Sequence, residues 1–446
     1  MIYKNHISRG KRMKKNIRMQ SVLGILLSAG FLMAVTGCTQ EEAVEVTEQE
    51  EIVYNNYVDF ENLVADLPNT ETDENGESKE IELTFWYSDA RQAPYYEAAA
   101  AEFHERYGVK IYCDYQDPVD YLDAVNEADI AYDGPDVFIV SNDQMKKAYL
   151  AGLSAKNTLY SDAFWSVNYP EVTKKALMTD GHMTGYPIYM DTCLMIYDTA
   201  LTSKPEHFSD ITDFAVGFED ETNTKTVFRF DISDPYCDYM YLGNAANVFG
   251  EYGEDTNAFD VSNEAVVKNM TYYQSLRDYF SLEVETSTYE EIKRELTEGT
   301  LVYGIVKTDI IPELSNYGST YALCPIPELS DGLSIQNLST TYGACVSSYT
   351  EHEEYANLFA IYLSYEFADH LYGLTRSVAV RSSIPHMEPE EESAYEEYKA
   401  TVPMPKALEN GDFWIYTEIC FKNIWNGNDV ASELANLQHQ MEIRLQ

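Results

Sequence analysis

Residues 81–113, IELTFWYSDARQAPYYEAAAAEFHERYGVKIYC, contain a strand, a helix and a second strand in immediate succession. Ile81-Glu-Leu-Thr-Phe-Trp86 alternates apolar and polar side chains, the two-residue period of a strand. From Pro94 to Tyr107 the period becomes helical, with Tyr96, Ala100, Phe103 and Tyr107 on one face. Gly108 stops that helix, and Val109 to Cys113 returns to a strand. Downstream, Tyr121 to Ile130 reads as a helix and Asp136-Val-Phe-Ile-Val140 as a strand. Ser141 is placed to cap a third helix, with Gln144 completing a capping box. This alternation predicts an α/β fold, a parallel or mixed sheet covered by helices.

The same alternation resumes around Leu194–Tyr197, Val227–Phe230 and Leu301–Val306. The last third is mostly helical. Tyr355, Leu358, Phe359, Tyr362 and Leu363 fall at helical spacing, as do Val430, Leu434, Leu437 and Met441. No internal repeat is present.

Upstream, residues 39–80 hold 14 acids and one lysine, the composition of a disordered tether, although Ile52 to Leu67 is apolar enough for one short helix. The globular part is expected to start at Ile81. Before the tether lies SVLGILLSAGFLMAVTGC (21–38), preceded by seven basic residues and no acid. A basic segment, a short apolar run and a small-residue cleavage site form a secretory signal. Val22 to Val35 is short of the ~20 apolar residues that span a bilayer. Val35-Thr36-Gly37-Cys38 resembles a bacterial lipobox, in which the Cys is acylated, as by palmitate, and becomes the first mature residue. The resemblance implies an exported chain anchored through Cys38 on the outer face of the cytoplasmic membrane.

Composition narrows the function. The chain has 446 residues, 30 Lys and Arg against 75 Asp and Glu; removing the signal's seven basic residues leaves 23 against 75. Such a negative field repels nucleic acid and anionic lipid and keeps a surface protein soluble. Beyond Cys38, the Cys residues 113, 193, 237, 324, 345 and 420 form no CxxC pair, so mostly free, buried thiols are expected. No HExxH, phosphate loop, GxSxG or SxxK occurs, and the eight His are scattered. No catalytic residue, metal or cofactor is expected.

Several segments, in order, resemble the extracellular solute-binding lipoproteins of bacterial ABC importers, in particular the maltose/maltodextrin-binding group. They are LTFWYSDA (83–90), AEFHERYGVKI (101–111), GPDVFIVSNDQMKKAYLAGL (134–153) and DGHMTGYPIYMDTCLMIYDTAL (180–201). EGTLVYGIVKTDIIPEL (298–314), YALCPIPELSDG (321–332), TTYGACVSS (340–348) and PMPKALENGDFWIYTEICFKNIWNG (403–427) continue the series. The resemblance implies a two-lobe periplasmic-binding-protein-like fold, each lobe a mixed sheet flanked by helices, with the ligand in the cleft between them. The implied division is signal 1–37, anchored linker 38–80, first lobe 81–189 and 339–388, and second lobe 190–338 and 389–446. It also implies a monomer that is not an enzyme, whose partners are a small-molecule ligand, a membrane permease and the membrane itself through the lipid.

Carried over by position, the resemblance assigns ligand contacts to Trp86, Arg91, Asp143, Asp191, Asp234, Tyr236, Asp309, Trp414 and Glu418. Aromatic planes pack on sugar rings while carboxylates accept hydroxyl protons, so a carbohydrate suits this set. Three positions depart from the family: Val140 replaces an aromatic, Lys307-Thr308-Asp309 replaces Gly-Pro-Trp, and Glu418 replaces an Arg. Asp89, Asp143, Asp191, Asp234, Asp309 and Glu418 would then face a cleft with only Arg91 in opposition. Linear maltodextrin is disfavoured on this reading. A sugar or short oligosaccharide, a cationic ligand (polyamine, amino sugar or basic peptide) and a surface enzyme acting on glycans remain open alternatives. If Cys38 carries the anchor, Cys38→Ser releases the protein from membranes or blocks maturation; continued incorporation of labelled palmitate by that variant excludes the lipobox.

Overall fold

The computed structural model describes residues 58–446 except 65–66, 73–75, 158, 221–223, 319, 330–332 and 334. The signal, Cys38 and the first part of the tether lie outside the described residues. Nine strands carry the architecture: β1 (Thr70–Thr72), β2 (Ser78–Tyr87), β3 (Val109–Tyr115), β4 (Val137–Ser141), β5 (Tyr186–Asp198), β6 (Thr226–Arg229), β7 (Leu301–Lys307), β8 (Tyr321–Cys324) and β9 (Leu338–Val346). Their order is β1-β2-β4-β9-β5-β7-β6, with β3 also on β2 and β8 also on β5. β2 runs parallel to β3 and β4, and β6 parallel to β7; β9 and β5 are antiparallel to their main neighbours. The sheet is mixed, as the alternation predicts.

β5 is the longest strand, and it changes partners midway. Tyr186 to Thr192 pair with β9, whereas Cys193 to Tyr197 pair with β7, and Met195 to Asp198 with β8. Two apolar cores form, and beyond the hand-over β5 feeds both, Leu194 and Ile196 joining the first and Cys193 and Met195 the second. The first gathers β2, β4, the helix Ala93–Tyr107 and the helix Glu353–Ile361; the second gathers Phe228, Tyr241 and the C-terminal helices Asn410–Trp425 and Val430–Arg444. Tyr355, Leu358, Phe359, Tyr362 and Leu363 are all buried in the first core, and Val430, Leu434, Leu437 and Met441 in the second. The fold is therefore two α/β lobes sharing a strand.

Three expectations need correction. The ordered body begins before Ile81. Val58 (2% exposed) and Phe60 (4%) are buried in the first core, and β1 pairs with Ser78–Glu80. A few apolar residues in an acidic stretch suffice when a core receives them. The capping box is not made. Ser141 is the N-cap of the helix Asn142–Leu150 without a side-chain cap bond, and Gln144 instead donates to Asp143 (3.0 Å). The thiols are not all free either: Cys193 and Cys237, 44 residues apart, form a disulfide, while Cys113, Cys324, Cys345 and Cys420 are free. Sequence spacing carries no signal for a bond that the fold creates by bringing distant residues together.

A buried lysine ties elements of the two cores together. Lys406 is 1% exposed, and its Nζ donates to the carbonyls of Lys175 (2.8 Å), Ala176 (3.1 Å) and Met178 at the end of the helix Glu171–Leu177. Its own N–H and that of Ala407, a residue of the second core, donate to the carbonyl of Gly253. Burial pushes the Lys406 ammonium down to about 7, against the pull of Glu254. Lys406→Met keeps the stem but strands three carbonyls, and should cost ~2–4 kcal/mol of stability in denaturant titrations at neutral pH. Above neutrality the unfolded chain binds this proton more readily, so the wild type gains stability from this group as pH rises from 7 towards 10. The gap between wild type and variant should widen over that range.

Candidate ligand-binding cleft

The carboxyl ends of β2 and β4, with the middle of β5 and β9, enclose a cavity of about 370 Å³. This is the usual ligand position in α/β sheets, because strand ends stop there and leave a crevice. Five tyrosines line it, Tyr87, Tyr96, Tyr121, Tyr189 and Tyr342, with Ser88, Asp89, Ser141, Asp143, Gln144 and Lys147 as polar companions. Tyr189 on β5 and Tyr342 on β9 are direct cross-strand partners, and their rings stack at 4.3 Å with 7° between planes. Only Tyr342 of this pair is partly exposed, which leaves it as the accessible ring of the stack.

The hydroxyls are less evenly matched. Tyr121 donates to the Trp86 carbonyl (3.0 Å). Tyr96 and Tyr189 are each 1% exposed, line the cavity, and have hydroxyls without a protein partner. Buried hydroxyls are ordinarily paired, and leaving one unpaired costs ~1–3 kcal/mol. Burial raises both phenol pKa values further, so they remain neutral donors.

A second, tighter cluster lies at the seam where β5 changes partners. Arg91 donates bidentately to Asp89 (Nε to Oδ1 3.0 Å, Nη2 to Oδ2 2.8 Å) and is attracted by the charge of Asp191. Asp191 accepts from Thr308 Oγ1 (2.8 Å); burial pushes its carboxyl up, opposed by Arg91 and that hydrogen bond. Tyr236 donates to the Asp191 carbonyl (3.0 Å), and Asp234, the N-cap of the short helix Pro235–Asp238, pairs with Lys307. Asp309 accepts from the Tyr289 hydroxyl, with Lys293 Nζ at 3.9 Å. Arg91, Asp191, Thr308 and Asp309 line a crevice of only about 10 Å³, filled by their own contacts.

Arg91, Asp143, Asp191, Asp234, Tyr236 and Asp309 thus surround the cavity and seam. Trp86, Trp414 and Glu418 sit elsewhere. Side chains alternate along β2, so Tyr87 enters the cavity while Trp86 packs on the first core with its indole N–H buried and unpaired. Trp414 packs on the second core against Phe413 and Tyr239, and its N–H is also unpaired. Glu418 pairs with Lys422 one helical turn away. The expectation that only Arg91 opposes the acids does not hold: Lys307 and Lys293 supply cations from the β7 region and the helix Tyr289–Glu298. Val140 does line the cavity, where the resembled family has an aromatic; Tyr342, which the sequence reading left unassigned, supplies a ring there.

Comparison with known proteins bears on the family and the fold. A model of the family described as "Bacterial extracellular solute-binding protein" matches residues 98–385. The chain belongs to that family. A maltooligosaccharide ABC transporter solute-binding lipoprotein of Streptococcus pneumoniae is 27% identical over 210 residues, 45% of this chain and 48% of that protein. The chain therefore matches about half the length of that relative. The galactooligosaccharide-binding protein of Bacillus subtilis is 22% identical over 398 residues, 84% of this chain and 94% of the relative. Among solved structures, an extracellular solute-binding protein of Staphylococcus aureus in complex with maltose shares the fold at TM-score 0.75 and 20% identity, covering 83% of this chain and 99% of its own. A cyclo/maltodextrin-binding protein complexed with maltotetraose matches at TM-score 0.75 and 19% identity, over 83% and 98%. As a member of this family the protein has binding proteins of transporters, not enzymes, as its relatives.

Because the Tyr189 hydroxyl has no partner to lose, Tyr189→Phe should leave thermal stability unchanged or slightly raised. The same variant should weaken a ligand that bonds this hydroxyl roughly 2- to 10-fold. A clear drop in melting temperature would show instead that the hydroxyl is already satisfied.

Proposed function

We propose that this solute-binding protein is a lipid-anchored receptor that captures an uncharged sugar or short oligosaccharide and passes it to an ABC-type permease. The observation that carries this reading is the tyrosine-lined cavity with two buried, unpaired hydroxyls. Sugar rings offer C–H faces to Tyr342 and hydroxyls to Tyr96 and Tyr189, and carboxylates such as Asp143 accept hydroxyl protons. The relatives named for maltooligosaccharide and galactooligosaccharide support the ligand class, and the lipobox at Cys38 supports export and anchoring.

Charge matching favours a neutral ligand over a cation. Asp89, Asp234 and Asp309 are engaged by Arg91, Lys307, and Tyr289 with Lys293, so few carboxylates are left to neutralise an amine. The narrow seam favours a short ligand over an extended chain. The two-lobed fold supports delivery, since a ligand touching both lobes would favour a closed form that a permease can distinguish from the empty one.

Titration calorimetry with maltose, maltotetraose, a galactooligosaccharide and spermidine, at low and high salt, tests the reading. A sugar should bind with little change between the two salts, and Asp143→Asn should weaken it by ~1–3 kcal/mol. Salt-sensitive binding of spermidine, with no sugar bound, would replace this reading by the cationic one.

A further inference from the structure

We infer that the Cys193–Cys237 disulfide is a positioning device for the ligand cleft, holding the loop of Asp234 and Tyr236 against the shared strand. The inference deepens the carbohydrate reading and rests on it for the ligand used below. Cys193 stands two residues after Asp191, at the first position of β5 that pairs with β7. Cys237 directly follows Tyr236, in the four-residue helix that Asp234 caps. Both cysteines are buried, Cys193 completely, within the second core.

The bond is one of several attachments between this short helix and the seam. Tyr236 donates to the Asp191 carbonyl, and Asp234 pairs with Lys307, whose backbone lies opposite Cys193 in the β5–β7 register. These two attachments are polar and involve partly exposed groups, where water competes with each of them, and Lys307 also lies over the Tyr236 ring at 5.9 Å. The disulfide alone is covalent and dry. A four-residue helix has too few internal hydrogen bonds to hold its own geometry, so its placement must come from outside. Fixing it through Cys237 sets where the Tyr236 ring and the Asp234 carboxylate stand before any ligand arrives, which lowers the ordering cost of binding.

A purely structural cross-link would stabilise the lobe without altering affinity, because its main effect is on the unfolded chain. Positioning predicts more. The test uses the exported full-length chain, Cys193→Ala/Cys237→Ala, and Cys420→Ala as a control for loss of a buried free thiol in the same core. Mass spectrometry of the unreduced wild type should find a peptide linking residues 193 and 237. In the double variant, hydrogen exchange should speed up at residues 234–242 while β4 stays protected, and maltose affinity should fall about tenfold or more. Cys420→Ala should change neither. Free thiols at 193 and 237 in the wild type, or a double variant with lower melting temperature but unchanged exchange and affinity, would overturn the inference. If the wild type binds no maltose, the affinity comparison uses whichever sugar the calorimetry finds; if it finds none, the ligand reading fails on its own, and the exchange pattern still decides the positioning role.

Discussion

A strand that serves two sheets has to change neighbours without leaving its backbone groups unpaired, and β5 does so between Thr192 and Cys193. Buried N–H and C=O groups must find partners, so each half of β5 requires its own flanking strands: β9 with Val378–Ala379 on one side of the hand-over, β7 with β8 on the other. That requirement fixes where the two lobes meet. It also places Tyr189, Asp191 and Cys193 within five residues of one strand, one in the stacked ring pair, one in the seam and one in the disulfide. The tyrosine-lined cavity and the seam crevice both lie along this part of the strand, through Tyr189 and Asp191.

The charge distribution follows a different logic from the composition. A chain with 75 acids against 30 basic residues suggests a cleft crowded with unopposed carboxylates. In the folded protein the few cations stand where acids converge: Arg91 on Asp89, Lys307 on Asp234, and Lys293 near Asp309 and Glu313. Carboxylates held by internal partners act as fixed walls and not as ligand-seeking charges. What the cavity offers is two unpaired phenol hydroxyls in a tyrosine-rich lining, beside the carboxylates of Asp120 and Asp143. A ligand rich in hydroxyls and C–H faces complements such a surface without bringing an uncompensated charge into it.

How far the sequence reveals this differs by level. The strands around Ile81–Trp86, Val109–Cys113, Leu301–Val306 and their helices are legible because apolar periodicity is local and the pleat or helix turn imposes it directly. The seam residues Arg91, Asp191, Asp234, Tyr236 and Asp309 are reached through resemblance, since they lie in loops and strand middles with no periodic signature. The tyrosine lining is not reached. Tyr96 reads as one more core residue of its helix, and Tyr189 and Tyr342 lie 153 positions apart in strands whose pairing the sequence does not state.

The sequence by itself therefore determined the α/β alternation and carries a basic, then apolar, then small-residue N-terminal segment, both of which depend on residues close together in the chain. Tertiary structure alone decided which face of β2 enters the cavity, which acids are neutralised, that Val58 and Phe60 belong to the body, and that Cys193 meets Cys237. Each of these depends on contacts between residues tens to hundreds of positions apart, and such contacts form only when the whole apolar surface is buried together.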